Sequence, residues 1–132
     1  MEDYAAALFY YQQALRASEK VVGKTHLDTL MTIMNMAGAY MDGLKDFTKA
    51  EEVLMRALDG YERLLGKDSQ ETKTCAKNVA RLQVVSKPDK HKLRDIVKSY
   101  PFLLTDPLAG LFIRELLSGG AVEDTDDDKR GD

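Results

Sequence analysis

The sequence has no tryptophan, one cysteine and three prolines among its 132 residues. A lone cysteine, Cys75, cannot close a disulfide within the chain. No apolar run with a small-residue cleavage site precedes the first amphipathic segment. Together these absences lead us to expect a reducing, intracellular and cytoplasmic setting. A strong charge of one sign is missing as well. The formal net charge of −3 divides into −1 over residues 1–86, +2 over 87–118 and −4 over 119–132. No stretch is basic enough to compete for nucleic acid, and that partner class is excluded. The balance of 44% apolar and 31% charged residues is that of a soluble globular domain.

The chemistry of sites is equally sparse. Gly23-Lys24-Thr25 looks like the end of a phosphate-binding loop, but that loop needs glycine at position 18, where Ser18 stands, and a strand before it. His26 and His91 have no cysteine or second histidine at ligand spacing, so no metal and no cofactor are expected. Asp124, Asp126 and Asp128 are spaced like the opening of a calcium loop, yet Lys129 replaces the required glycine and no glutamate closes the span. Arg130-Gly131-Asp132 is too short a match to carry a function. Cys75, between Lys73 and Lys77, lacks a histidine partner and is expected to be a buried packing thiol. No nucleophile, base and orienting group assemble, and the chain is not expected to be an enzyme.

What the sequence does have is an internal repeat: residues 3–45 reappear, shifted by 43 positions, from residue 46 onward. Asp3 falls on Asp46, Tyr4 on Phe47, Ala7 on Ala50, Ala14-Leu15 on Ala57-Leu58 and Gly23-Lys24 on Gly66-Lys67. Thr29, Asn35 and Ala37 fall on Thr72, Asn78 and Ala80. A period of this length marks stacked helical hairpins whose units complete each other's cores.

The spacing of Ala7, Leu8, Tyr11, Ala14, Leu15, Ser18 and Val22 predicts a helix over Asp3–Val22, stopped at Gly23. A second helix runs from about Leu30 to Met41, with Ile33, Met36, Ala37 and Tyr40 on its core stripe. Its second apolar stripe of Met31, Met34, Gly38 and Met41 needs a further neighbour or a ligand. A third, Asp46–Leu65, directs Phe47, Ala50, Val53, Leu54, Ala57, Leu58, Tyr61 and Leu65 inward. A fourth covers about Ser69 to Val85, with Ala76, Val79, Ala80 and Val84 in the core register, and Lys87-Pro88 disfavours more helix.

These residues resemble the tetratricopeptide repeats, and within them the long-unit variety found in kinesin light chains and in the C-terminal arrays of some receptor-type ATPases. The family's positions can be followed as Ile33, Met36, Ala37 and Tyr40, then Ala50, Leu54 and Ala57, with Ala7, Tyr11 and Ala14 in a partial first unit. The variety's unit opening is matched in frame by Val22-Gly23-Lys24-Thr25-His26-Leu27-Asp28-Thr29 and Leu65-Gly66-Lys67-Asp68-Ser69-Gln70-Glu71-Thr72, without its proline. Gln83 stands where Tyr40 would repeat, and the loop from Asp42 to Lys45 is one residue longer than usual. The chain also begins on a trailing helix. That leads us to expect a protein longer at its N-terminus, or a second chain, to close the face carrying Leu8 and Tyr11.

Beyond Pro88 two shorter helices are predicted, about Asp89 to Ser99 and Pro107 to Ser118. Asp106-Pro107 is a helix-start pair, since aspartate accepts first-turn N–H groups and proline has none to leave unpaired. Leu108, Leu111, Phe112, Glu115 and Leu116 form the last helix's stripe, widened by Ile113 and Leu117. Its polar face offers only Arg114, too little for a membrane surface. Residues 119–132 cannot bury enough apolar surface to order themselves.

The fold class expected is therefore all-α: a right-handed superhelical stack of antiparallel helical hairpins over residues 1–87, C-terminal capping helices over 88–118 and a disordered acidic tail over 119–132. The resemblance implies a concave groove lined by the leading helices. It maps the ligand contacts to Met31, Met34, Asn35, Gly38 and Met41, then Thr74, Lys77, Asn78 and Arg81. Asparagine amides can both donate to and accept from an extended backbone, methionine adapts its shape cheaply, and Lys77 with Arg81 would attract acidic groups. The function expected is an interaction module for a protein or peptide partner of acidic character. The alternatives are the structural end of a longer scaffold or receptor, and self-association through the N-terminal helix.

Overall fold

The computed structural model describes residues 3–86, 89–107 and 109–119. Every described element is helical: α1 Tyr4–Val21, α2 Leu27–Gly38, a π-turn Ala39–Gly43, α3 Phe47–Leu65, α4 Gln70–Val85, α5 Lys90–Ser99, a 3-10 turn Pro101–Leu104 and α6 Ala109–Gly119. The expected disorder of the acidic tail and the role given to Leu108 lie outside the described residues. The chain divides into two compact units, Met1–Leu82 and Gln83–Asp132.

Helix ends follow from local chemistry. Asp3, Asp46 and Asp89 each hold an extended or non-helical backbone and accept, through Oδ1, the amide three residues on, at 3.0, 3.1 and 3.0 Å. These caps satisfy first-turn N–H groups that no helical carbonyl can reach. Gly23 and Gly66, at φ 100° and 82°, end α1 and α3 in a region that a Cβ would penalise. Two fully buried threonines then tie down the turns. Thr29 Oγ1 donates to the Gly23 carbonyl at 2.7 Å, and the Thr72 hydroxyl pairs with Ser69 Oγ at 2.7 Å.

The long loop after α2 has a defined solution. The Leu44 amide donates to the Ala39 carbonyl at 3.0 Å, a reach of five residues, and the Asp46 amide donates to Tyr40 at 2.8 Å. The extra residue is absorbed as a single π-turn, the usual form of a one-residue insertion in a helix. Lys45 takes φ 57° to complete the reversal.

In the first unit Leu30, Ile33, Met36 and Ala37 of α2 are buried, as are Ala50, Leu54, Ala57, Leu58 and Tyr61 of α3. Leu30 lies on Gly60, where a Cβ would come within 2.7 Å of its Cδ2. Gly60→Ala gains about 1 kcal/mol of helix propensity but overpacks a sealed leucine, at a cost of about 1–3 kcal/mol. A lower urea midpoint is expected, with much of the loss recovered in a Gly60→Ala, Leu30→Ala pair relative to the sum of its singles.

Two expectations are corrected here. Leu8 and Tyr11 do not form the open face of α1. Leu8 is 6% exposed and clusters with Met36 and Ala39, and Tyr4, Tyr11 and Leu15 pack around it. The open residues are Phe9, Tyr10, Ala14 and Val21, because α1 rotates its Tyr4, Leu8, Tyr11, Leu15 edge onto α2 and the π-turn. Leu65 and Val22, expected inward, are exposed at their helix ends.

Cys75 is fully buried and its Sγ donates to the Leu54 carbonyl at 3.5 Å. Burial first, then the Glu62 charge, pushes its thiol up to about 12 from 9.0. Tyr61 moves in the same direction, mainly by burial. Between about pH 9 and 12 the unfolded chain loses the thiol proton and the folded chain keeps it, so stability falls by about 1.4 kcal/mol per pH unit in that window. Below it this contribution is intact. Native Cys75 should resist a disulfide-exchange reagent at pH 8 and react only at the rate of unfolding; rapid native labelling would contradict this burial.

In the second unit Leu93, Ile96, Tyr100, Leu103 and Ile113 are buried. Asp106 Oδ2 accepts the Ala109 amide at 3.0 Å, as the Asp-Pro pair predicts. The stripe expected on α6 is turned, however. Leu111 and Phe112 are 60% and 58% exposed while Gly110 and Ile113 are buried. The cause is a close approach: Gly110 lies against the Leu104 carbonyl, which also accepts Arg114 Nη1. No helix among the described residues is long and apolar enough to cross a membrane.

Candidate functional site

The leading helices α2 and α4 carry the candidate face, and it lies within the first unit. On α2, Met31 and Asn35 are exposed, one turn apart, and Met34 and Gly38 are half-buried. On α4, Thr74 and Arg81 are exposed, and Lys77 and Asn78 are half-buried. Met41 differs from the other eight. At 2% exposure it belongs to the core, because the π-turn carries it off the surface that continues from Met31 through Asn35.

A Cβ built at Gly38 would meet nothing within 4 Å. The helix surface is therefore open at that point, beside Asn35. Asn35 and Asn78 occupy equivalent positions in the repeat. Among the described residues neither of their side-chain amides makes a hydrogen bond. Each keeps two N–H donors and a carbonyl acceptor for a ligand.

The cationic part of the face is more committed than the sequence implied. Arg81 Nη1 donates to Asp42 Oδ1 at 3.3 Å, and Nη2 lies 3.7 Å from Met41 Sδ. This contact joins the end of α4 to the π-turn that follows α2. Asp42 already takes one of the Arg81 donors, and sequence reasoning missed it because Val85, its repeat equivalent, gives no hint of an acid there. The guanidinium has five N–H donors, so a second acceptor can still be served. Thr74 Oγ1 accepts from Gln70 Nε2 at 3.3 Å, which fixes its lone pairs but leaves its hydroxyl at the surface.

Among the described residues no three His, Cys, Asp or Glu side chains group to hold a metal ion. The arrangement offers hydrogen-bonding amides, a flexible thioether at Met31, an open backbone stretch at Gly38 and a cation paired with Asp42.

The chain matches the tetratricopeptide repeat family over residues 1–28 and 29–71. Together these matches span 71 of the 132 residues. The second covers 43 residues, which is the internal period read from the sequence. No curated protein matches the chain.

Proposed function

The chain belongs to the tetratricopeptide repeat family, and from that premise we propose that it binds an extended peptide along the exposed faces of α2 and α4. Helical repeats of this kind are protein-interaction modules that present extended surfaces. The observation that carries the reading is the pair of repeat-related amides, Asn35 and Asn78, unpaired among the described residues, with open helix surface at Gly38 one turn from Asn35. One such amide on each leading helix suits the alternating donors and acceptors of a peptide backbone. Arg81 favours an acidic side chain or a terminal carboxylate near the Asp42 end. The unit length and its opening frame ally the chain with the kinesin-light-chain-like variety, and a cytoplasmic partner is the reading that a lone thiol supports.

Asn78→Ala should weaken a bound peptide about three- to tenfold, the worth of one or two hydrogen bonds. Arg81→Glu should cost more, because the new carboxylate would face Asp42 and repel an acidic ligand. Gly38→Ala offers a sharper test, since the two readouts should move in opposite directions. The fold should gain up to about 1 kcal/mol of helix propensity while the methyl intrudes on the ligand and weakens binding. Isothermal titration with a selected peptide, beside thermal melts, measures both. Folded Asn78→Ala and Arg81→Glu variants that bind like the parent would refute the proposal.

A further inference from the structure

Asp42 and Arg81 stand where the two halves of the candidate face end. Arg81 is one helical turn beyond Asn78 on α4, and Asp42 is one turn beyond Gly38 on the π-turn that prolongs α2. Their ion pair joins those ends, and its geometry is that of a light hold. One nitrogen meets one oxygen, Arg81 Nη1 and Asp42 Oδ1, at 3.3 Å. A guanidinium and a carboxylate at full strength make two such contacts, each at about 2.7–2.9 Å. Arg81 Nη2 lies 3.7 Å from the Met41 thioether, which is a weak acceptor. Among the described residues Asp42 Oδ2 and Arg81 Nε have no partner. The Asp42 and Arg81 side chains are 57% and 47% exposed, so water screens much of their attraction.

We propose that Asp42 is a built-in competitor at the peptide face: it holds Arg81 in the free protein, and a carboxylate of the bound peptide displaces it. The inference rests on the reading of α2 and α4 as a peptide-binding surface and adds what sets its selectivity. A carboxylate that engages Nε and Nη2 together makes the paired contact that Asp42 does not make. The cation is thereby shielded from anions that offer a single bond and open to a carboxylate that the rest of a bound peptide holds in place. The apparent affinity for an acidic peptide is lowered by the fraction of molecules in which Arg81 is free. A weak, exposed pair sets that fraction at about a half to a fifth.

The test compares an acidic peptide, selected from a random library on the full chain, with the same peptide carrying Asn and Gln for Asp and Glu and an amidated C-terminus. Both are titrated into the parent, Asp42→Asn, Arg81→Gln and the double variant. Asp42→Asn should tighten the acidic peptide about two- to fivefold and leave the amide form unchanged. In the Arg81→Gln background the same substitution should have no effect, because no guanidinium is left to release. A damaged fold does not tighten binding, so the direction of the change separates competition from a structural role. The Nε–H resonance of Arg81 should shift with the acidic peptide and stay in place with the amide form. Equal affinity of the parent and Asp42→Asn would overturn the proposal. So would a gain that persists without Arg81, which would be a general charge effect, or a library that yields no acidic binder. In each of these cases amide shifts at Asn35 and Asn78 would leave the peptide face standing, whereas binding without those shifts would overturn both readings.

Discussion

Gly110→Ala is expected to disrupt the second unit, because the added methyl would meet backbone rather than a side-chain end. A Cβ at this position would lie 2.5 Å from the Leu104 carbonyl oxygen and 2.9 Å from its carbon. Backbone cannot swing aside as a side-chain end can, so α6 must move bodily off the 3-10 turn. That movement also withdraws Arg114 from the same carbonyl and opens the seat of Ile113. Overpacking of this sort costs about 1–3 kcal/mol and more where backbone must shift, against the gain of about 1 kcal/mol that alanine brings to a helix. Hydrogen exchange should show lost protection across α5 and α6. Unchanged protection there would mean that the close approach of Gly110 is not what sets the rotation of α6.

Leu54→Ala should cost about 2–5 kcal/mol, the range for emptying a sealed aliphatic site. Leu54 is fully buried in the middle of α3, and its carbonyl accepts the Cys75 thiol of α4. The cavity therefore opens where α3 and α4 meet. Its repeat equivalent provides an internal comparison. Tyr11 on α1 is half-buried, so Tyr11→Ala removes a larger side chain yet should cost less than Leu54→Ala. The melting temperature should fall by on the order of 10 °C for Leu54→Ala and by a few degrees for Tyr11→Ala. The reverse order would mean that α1 is as deeply packed as α3.

Much of this architecture was legible because the repeat doubled every signal. Helix starts near Asp3, Asp46 and Asp89, the cap at Asp106, stops at Gly23 and Gly66, and the buried Cys75 all follow from short-range patterns that the sequence states directly. The core stripe of Ile33, Met36 and Ala37 was readable for the same reason. What was not legible depends on contacts between elements. Nothing in the run from Leu108 to Leu117 shows that Gly110 is pressed on the Leu104 carbonyl, so the apolar stripe through Leu111 and Phe112 does not reveal that both are exposed. The loop at Asp42 to Lys45 was seen to be one residue long, but its resolution into a π-turn was not foreseen. That turn is what buries Met41 and sets Asp42 beside Arg81, altering the candidate face at both points. The repeat makes an open side of α1 legible, but that side carries Tyr10 and Ala14 rather than Leu8 and Tyr11, because the Leu8 edge packs onto Met36 and Ala39, which sequence spacing alone does not show.

The central claim is that the exposed faces of α2 and α4 form a peptide-binding surface. The most direct measurement selects peptides from a random library on the full chain and maps the tightest binder by amide shift changes. The account predicts shifts at Met31, Asn35, Gly38, Thr74, Asn78 and Arg81, with the binder lost on Gly38→Arg. Binders that shift only α3 or α6 residues, or that bind Gly38→Arg as well as the parent, would contradict it.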